Sequence, residues 1–288
     1  MAKTFQMARI KVVGVGGCGC NAVARMLKNN MRGADFVMVN TDAQALTYWD
    51  APLKVRIGDK LTRGQGAGGD PEMGRRAAQE SRDELSDIVG GADAVFVTAG
   101  MGGGTGTGAA PVVAELARQN KALTIAVVTT PFHFEGVRRR KQAEAGLGWL
   151  RDRVDTLIVV PNDSLLKVCD HKVTVDNAFR VADSALLQGI KALAEIITVP
   201  GEINLDFADI KTILRDSGPA LICIGNGQGD TGAIDAAKMA IANPLLETSI
   251  AGATGVLFNI TGGTGLSLAE VDQAARIISR AVDPHANI

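Results

Sequence analysis

The sequence predicts an α/β protein: a doubly wound parallel-sheet domain, a long central helix and a second, smaller α+β domain. Three observations carry that prediction. Up to about residue 160, short apolar runs alternate with helical patterns. A single long amphipathic stretch follows at 175–197, and beyond Pro200-Gly201 the alternation restarts on a smaller scale.

The runs at 10–15, 36–39, 53–57, 94–99, 123–129 and 156–160 read as strands, several of them apolar throughout, as strands buried on both faces are. Helices are expected between them at 21–28, 71–88 and 108–119, the second opened by Asp70 as N-cap with Pro71 at the first helical position. Within 175–197, Phe179, Ala182, Leu186, Ile190, Leu193 and Ile197 recur at three- and four-residue steps, which gives one strongly apolar face. The second domain is expected to hold a helix at 208–217, a strand at 220–225, a helix at 232–242 and a strand at 256–261. Its last helix is opened by Ser267-x-x-Glu270, a capping box. The boundaries then fall at 1–174, 175–200 and 201–288.

Composition narrows the function classes. With 46% hydrophobic and 21% charged residues, 288 residues can bury two cores and stay soluble. A formal net charge of -1, with Lys and Arg scattered, gives no field for gathering nucleic acid or anionic lipid, so neither nucleic acid nor direct membrane binding is expected. The N-terminus runs straight into a glycine loop, unlike a signal peptide, and no apolar run has the length of a membrane span. Four cysteines without paired spacing point to a reducing compartment, the cytoplasm. The 34 glycines are in excess and clustered, which directs attention to loops where backbone approaches a ligand.

Gly14-Val15-Gly16-Gly17-Cys18-Gly19-Cys20-Asn21 lies between the first strand and the first helix, where N–H groups and the positive end of a helix dipole converge. An anion fits there. Gly14, Gly16 and Gly19 also satisfy G-x-G-x-x-G, so this loop alone leaves an NAD-dependent dehydrogenase open, with Asp42 as its ribose acid. The loop 100–108, Gly-Met-Gly-Gly-Gly-Thr-Gly-Thr-Gly, has the same setting. Two such turns form a cradle for several phosphates, making the first domain a nucleotide-binding one. No G-x-x-x-x-G-K-[ST] occurs, and neither loop contains Lys or Arg. The phosphate charge therefore falls to backbone amides, helix dipoles, the Thr105 and Thr107 hydroxyls and a divalent ion, Mg²⁺.

The stretch Gly102-Gly103-Gly104-Thr105-Gly106-Thr107-Gly108 resembles the signature of the tubulin/FtsZ superfamily, and other segments fall in that family's order. They are Gly14 to Asn21, Asn40-Thr41-Asp42-Ala43-Gln44-Ala45-Leu46, Gly66-Ala67-Gly68-Gly69-Asp70-Pro71, Pro131-Phe132-His133-Phe134-Glu135-Gly136, Pro161-Asn162-Asp163 and Asn204-Leu205-Asp206-Phe207-Ala208-Asp209. Their wording is closer to the FtsZ branch than to eukaryotic tubulin.

The resemblance implies binding of GTP and GDP with Mg²⁺. Gly16, Gly17, Cys18 and Asn21 of the first loop and Gly103, Gly104, Thr105 and Gly106 of the signature loop would hold phosphates, with Ala67 and Gly68 near the γ-phosphate. Glu135 and Arg139 would contact the ribose, Phe179 would stack near guanine, and Asp183 would accept its N1–H and N2–H bonds, with Asn21 nearby. On spacing alone, Phe179 and Asp183 are simply two faces of the long helix, and Asp206 and Asp209 are N-cap and first-turn acids. In the family's use, Asn204, Asp206 and Asp209 complete hydrolysis in the neighbouring subunit of a head-to-tail homopolymer. The implied role is a GTPase that forms the division ring at mid-cell in bacteria, meeting membrane anchors and division inhibitors. A non-polymerising GTP-binding regulator of the same descent is the other reading. The family's second domain resembles a four-stranded sheet, of which only two strands are expected before Ile288, so that domain and the anchor-binding tail are expected to be incomplete. Cys18 and Cys20 read as small residues tolerated in a tight loop, and Arg138-Arg139-Arg140-Lys141 as a solvated helix start.

Overall fold

The computed structural model describes residues 8–166, 174–199, 201–202, 205–242 and 249–288. In chain order its elements are β1 (Ile10–Val15), α1 (Gly16–Lys28), β2 (Asp35–Asn40), α2 (Ala43–Tyr48), β3 (Leu53–Arg56), α3 (Asp59–Thr62), α4 (Pro71–Glu80), α5 (Arg82–Val89), β4 (Ala94–Gly100) and α6 (Thr105–Gln119). There follow β5 (Leu123–Thr130), α7 (Val137–Arg151), β6 (Thr156–Pro161), α8 (Asn162–Leu166), α9 (Val175–Thr198), α10 (Phe207–Leu214), β7 (Gly218–Ala220), α11 (Gly232–Ile241) and α12 (Leu268–Ala281).

The strands form one parallel sheet in the order β3-β2-β1-β4-β5-β6-β7. Side chains alternate across it and sort the core into two layers. Val13, Val15, Val37, Val39, Val95 and Val97 face α4, α5, α6 and α7, whereas Ile10, Val12, Phe36, Met38, Ala94 and Phe96 face α1, α2, α9 and α10. Leu186, Ile190 and Ala194 of α9 are fully buried on the second layer, and burial contributes about 1.5–3 kcal/mol for each of the two larger ones. No helix among the described residues is long and apolar enough to cross a membrane.

The first six strands lie where the apolar runs place them, and both helix-start motifs are realised. Asp70 Oδ1 accepts from Glu72 N at 3.0 Å, and Ser267 and Glu270 form the reciprocal capping box. Four expectations need correction. The first glycine loop is not a loop throughout, since α1 begins at Gly16. The helix expected at 71–88 breaks at Ser81, whose hydroxyl turns away to accept from Gly58 N at 3.2 Å. The strand expected at 220–225 does not form: the three-residue β7, paired with β6 of the large sheet, ends at Ala220, and Leu221 and Ile224 beyond it are exposed. At 256–261 no strand forms. Val256 N instead donates to Asn287 O at 2.8 Å beside a single parallel bridge between Gly255 and Asn287, because a strand needs a neighbouring strand along its length.

Candidate nucleotide site

The two glycine turns follow β1 and β4, which are neighbours in the sheet. Because α1 departs to one face and α6 to the other, the turns flank the crevice where strand order reverses, the usual ligand position in open parallel sheets. Neither helix start has a side-chain cap, so its first N–H groups are left for something else. Gly17 and Gly103 sharpen the point. Neither has a positive φ, and a Cβ at either would meet nothing within 4 Å, so the fold itself does not require glycine at these positions. Close approach of a ligand would require it. Gly104 differs: a Cβ there would lie 2.8 Å from Ala67 Cβ and 2.9 Å from Asp70 N, so this residue is glycine to let the third loop pack.

The second and third loops are tied to this cradle. Thr41 Oγ1 and Thr105 Oγ1 share a hydrogen bond at 2.6 Å, Gly66 N donates to Thr41 O at 3.2 Å and Ala43 N to Gly64 O at 3.0 Å. Ala67 is buried, Gly68 faces open space, and Gln142 Nε2 donates to Gly69 O at 3.0 Å. Thr107 departs from expectation. Its hydroxyl is buried and accepts from Gly102 N at 2.8 Å, so it braces the signature loop instead of facing the crevice. At the end of β6, Asn162 is buried and its Oδ1 has no partner among the described residues, a rare and costly state that a ligand donor would relieve.

One face of α1, bearing Cys18, Asn21 and Arg25 at three- and four-residue steps, meets α9. Asp183, 6% exposed, accepts from Arg25 Nε at 2.8 Å, and Cys18 Sγ lies 4.0 Å from its other oxygen. Burial raises the Asp183 pKa above the ordinary carboxylate range, and the Arg25 hydrogen bond and charge partly offset this. Phe179 is 40% exposed, edge-on to Phe132 at 5.3 Å and to Phe134 at 6.4 Å. Glu135 accepts from Phe132 N at 2.9 Å and pairs with Arg139. The glycine turns, Asn21, Phe179, Asp183 and the Glu135–Arg139 pair are thus carried on the elements around one end of the sheet.

Asp206 and Asp209 are not among them. α9 meets the start of α1 at Asp183 and ends with Thr198 against Gly33, just before β2, and α10 ends with Leu214 O accepting from Thr156 Oγ1 at 2.6 Å, where β6 starts. Asp206, which caps α10, and Asp209, in its first turn, therefore come after the end of α9 that lies away from the glycine turns. Both are exposed, and Asp206 is the N-cap of α10, accepting from Asp209 N at 2.9 Å. Asn204 lies outside the described residues.

Sequence reasoning missed Arg25 and Trp49, and it gave no role of their own to Thr41 and Asn162, which it met only inside the quoted motifs. Arg25 stands four residues after Asn21, so helical spacing puts it on the site face, but nothing in sequence pairs it with Asp183. Burial pushes the Cys18 and Cys20 thiols up to about 12, and no three His, Cys, Asp or Glu gather into a metal-binding cluster among the described residues. Asp42, needed by the dehydrogenase reading, caps α2 through Ala45 N at 3.1 Å.

Residues 9–170 match the tubulin/FtsZ family GTPase domain, and residues 218–288 match the FtsZ family C-terminal domain. Among solved structures, the chain is similar to the empty FtsZ dimer of M. jannaschii: 44% identity over 99% of this chain and 83% of that one, TM-score 0.94. A tryptophan-to-tyrosine mutant of M. jannaschii FtsZ gives 45% identity over 98% and 85%, with TM-score 0.94. A GTPγS-bound protofilament of CetZ2 from Haloferax volcanii shares the fold, at 22% identity over 95% and 85% with TM-score 0.77. These matches exclude the dehydrogenase reading, and the bacterial origin suggested by the motifs does not follow from relatives of these sources. The chain belongs to the tubulin/FtsZ family.

Proposed function

We propose that the protein is a cytoplasmic, filament-forming GTPase of cell division that binds GTP and GDP with Mg²⁺ and acts at the mid-cell ring. The observation that carries the nucleotide reading is the pair Gly17 and Gly103, glycines that the fold does not require and a phosphate-bearing ligand does. Gly16, Cys18, Thr105 and Gly106 complete the phosphate cradle, with Ala67 and Gly68 toward the γ-phosphate. Glu135, Arg139 and the unpartnered Asn162 oxygen serve the ribose, whose hydroxyls are donors. Asp183, held ionised by Arg25, accepts two guanine donors that adenine lacks, with Asn21 and Phe179 beside it. Mg²⁺ bound with the nucleotide would neutralise the phosphate charge that no Lys or Arg of either glycine loop meets.

Hydrolysis is completed in trans. Asp206 and Asp209, with Asn204, polarise water in the site of the next subunit, which suits their place at the far end of α9 from their own chain's cradle. A head-to-tail contact of this kind is heterologous and builds open filaments. The M. jannaschii FtsZ dimer supports self-association. Sedimentation with GTP or GDP, run beside phosphate release across protein concentrations, tests the reading. GTP-dependent pelleting with turnover per molecule rising with concentration is expected. Nucleotide binding without either would indicate a non-polymerising regulator.

A further inference from the structure

The Trp49 indole lies just after α2, partly buried against the layer that holds α1. Its position is fixed on several sides. Tyr48 meets it edge-on with centroids 4.8 Å apart, Lys28 Nζ sits 5.0 Å from its ring centroid, and its carbonyl accepts from Lys54 Nζ at 2.9 Å. Its Nε1 is 3.1 Å from Asn21 Oδ1. An indole N–H donates and cannot accept, so the atom of Asn21 that faces it is the amide oxygen and the NH₂ group points elsewhere.

We infer that Trp49 is a positioning residue for base recognition, holding Asn21 in the one amide orientation that offers donors to the nucleotide. This rests on the guanine site proposed above. Asn21 lies on the same face of α1 as Cys18 and Arg25, both within reach of Asp183, so the amide and the carboxylate address the same ligand. Their roles are complementary: Asp183 takes the donors of guanine and Asn21 supplies donors to its acceptors. Without the indole, Asn21 can turn over and present an oxygen, which suits the adenine amine and repels the guanine carbonyl. Trp49 thus acts on discrimination as well as affinity.

Calorimetric binding of GDP and ADP, which avoids hydrolysis, to the full chain and to Trp49→Phe, Asn21→Ala and the double variant tests the inference. Trp49→Phe is expected to weaken GDP about three- to tenfold, the range for leaving one side chain to be ordered on binding. It is also expected to narrow the preference for GDP over ADP. In the Asn21→Ala background the same change is expected to have less than about a 1.5-fold effect, because its route is gone. An equal loss in both backgrounds, or none with Asn21 present, overturns the inference, as does unaltered GDP affinity in Asn21→Ala. Failure of the unsubstituted chain to bind GDP would instead overturn the guanine site. A second measurement leaves Trp49 in place. With Trp149→Phe removing the chain's other tryptophan, the remaining indole N–H resonance is expected to be protected from solvent exchange and to lose that protection in Asn21→Ala. Unchanged exchange in Asn21→Ala also overturns it.

Discussion

Arg25 Nε and Asp183 Oδ2 meet at 2.8 Å across the contact between α1 and α9, at a carboxylate that burial alone would push toward the neutral form. Charge on Asp183 therefore depends on a neighbour that is not itself a ligand group. Since the Asp183 pKa is raised, its ionised form disappears at a higher pH than that of an exposed aspartate. GDP affinity is expected to fall on acidification starting above the ordinary carboxylate range, and Asp183→Asn should flatten that dependence. The linkage to folding has the opposite sign: the native state takes up this proton more readily than the unfolded chain, so this group's contribution to stability grows as pH falls through the raised value. Titrations of GDP affinity and of melting temperature between pH 4 and 8 check both signs.

Base choice is expected to be strong. GTP should bind over ATP by at least ~10²-fold, the discrimination that mismatched buried hydrogen bonds impose, and Asp183→Ala should collapse it while leaving Arg25 without its partner. Competition of each nucleotide against labelled GDP measures it. Equal binding of ATP by the unsubstituted chain would reject the assignment.

Neighbouring glycines should fail in different ways. Gly103→Ala puts a methyl into open space, so folding stability should change by no more than about 0.5 kcal/mol while nucleotide affinity falls at least ~10-fold. Gly104→Val meets Ala67 and Asp70, so it should lower the melting temperature and displace the third loop before any phosphate is considered. Melting curves and GDP binding on both variants separate a ligand effect from a packing effect.

Asp206 serves two purposes that different substitutions can part. Asp206→Ala removes the cap of α10 and should cost about 1 kcal/mol, whereas Asp206→Asn keeps a capping oxygen and removes only the charge. Hydrolysis should fall by orders of magnitude in both and in Asp209→Ala, with GTP binding retained. Mixing Asp209→Ala with Gly103→Ala should restore some phosphate release, since each supplies the half-site the other lacks. Absence of any recovery would favour a site contained in one chain.

Hydrogen exchange should divide the chain. Among described residues of 218–288 only Ala237, Ala274 and Val282 are buried apolar side chains, whereas β4 is buried along almost its whole length. Amides of β4 are expected to exchange only on global unfolding, and those of 220–225 and 256–261 at least ~10²-fold faster. Equal protection would mean that packing there is tighter than burial indicates.

What was legible in the sequence follows from how each feature is encoded. Strands such as β4 and β5 are continuous apolar runs because both their faces are covered, so their limits could be read to within a residue. The start of α1 was hidden because glycines disguise a helical turn. The break at Ser81 depends on Gly58, 23 residues away, and the unformed strand at 256–261 depends on a partner segment, neither of which a local pattern contains. The site divides the same way. Glycine-rich turns announce themselves, but the Arg25–Asp183, Thr41–Thr105 and Trp49–Asn21 pairings join residues distant in sequence and existed only once the chain had folded.

The sheet that separates the two core layers also separates two kinds of inheritance. Asn21, Arg25 and Asp183, with Trp49 just after α2, belong to one layer, while the third loop leads into α4 and the signature loop into α6 on the other. With Asn21 and Asp183 addressing the base as proposed, a lineage or an engineer could redraw the base preference by substitutions in α9, around Trp49 and beyond the first turn of α1, leaving the signature and third loops untouched across the barrier of strands.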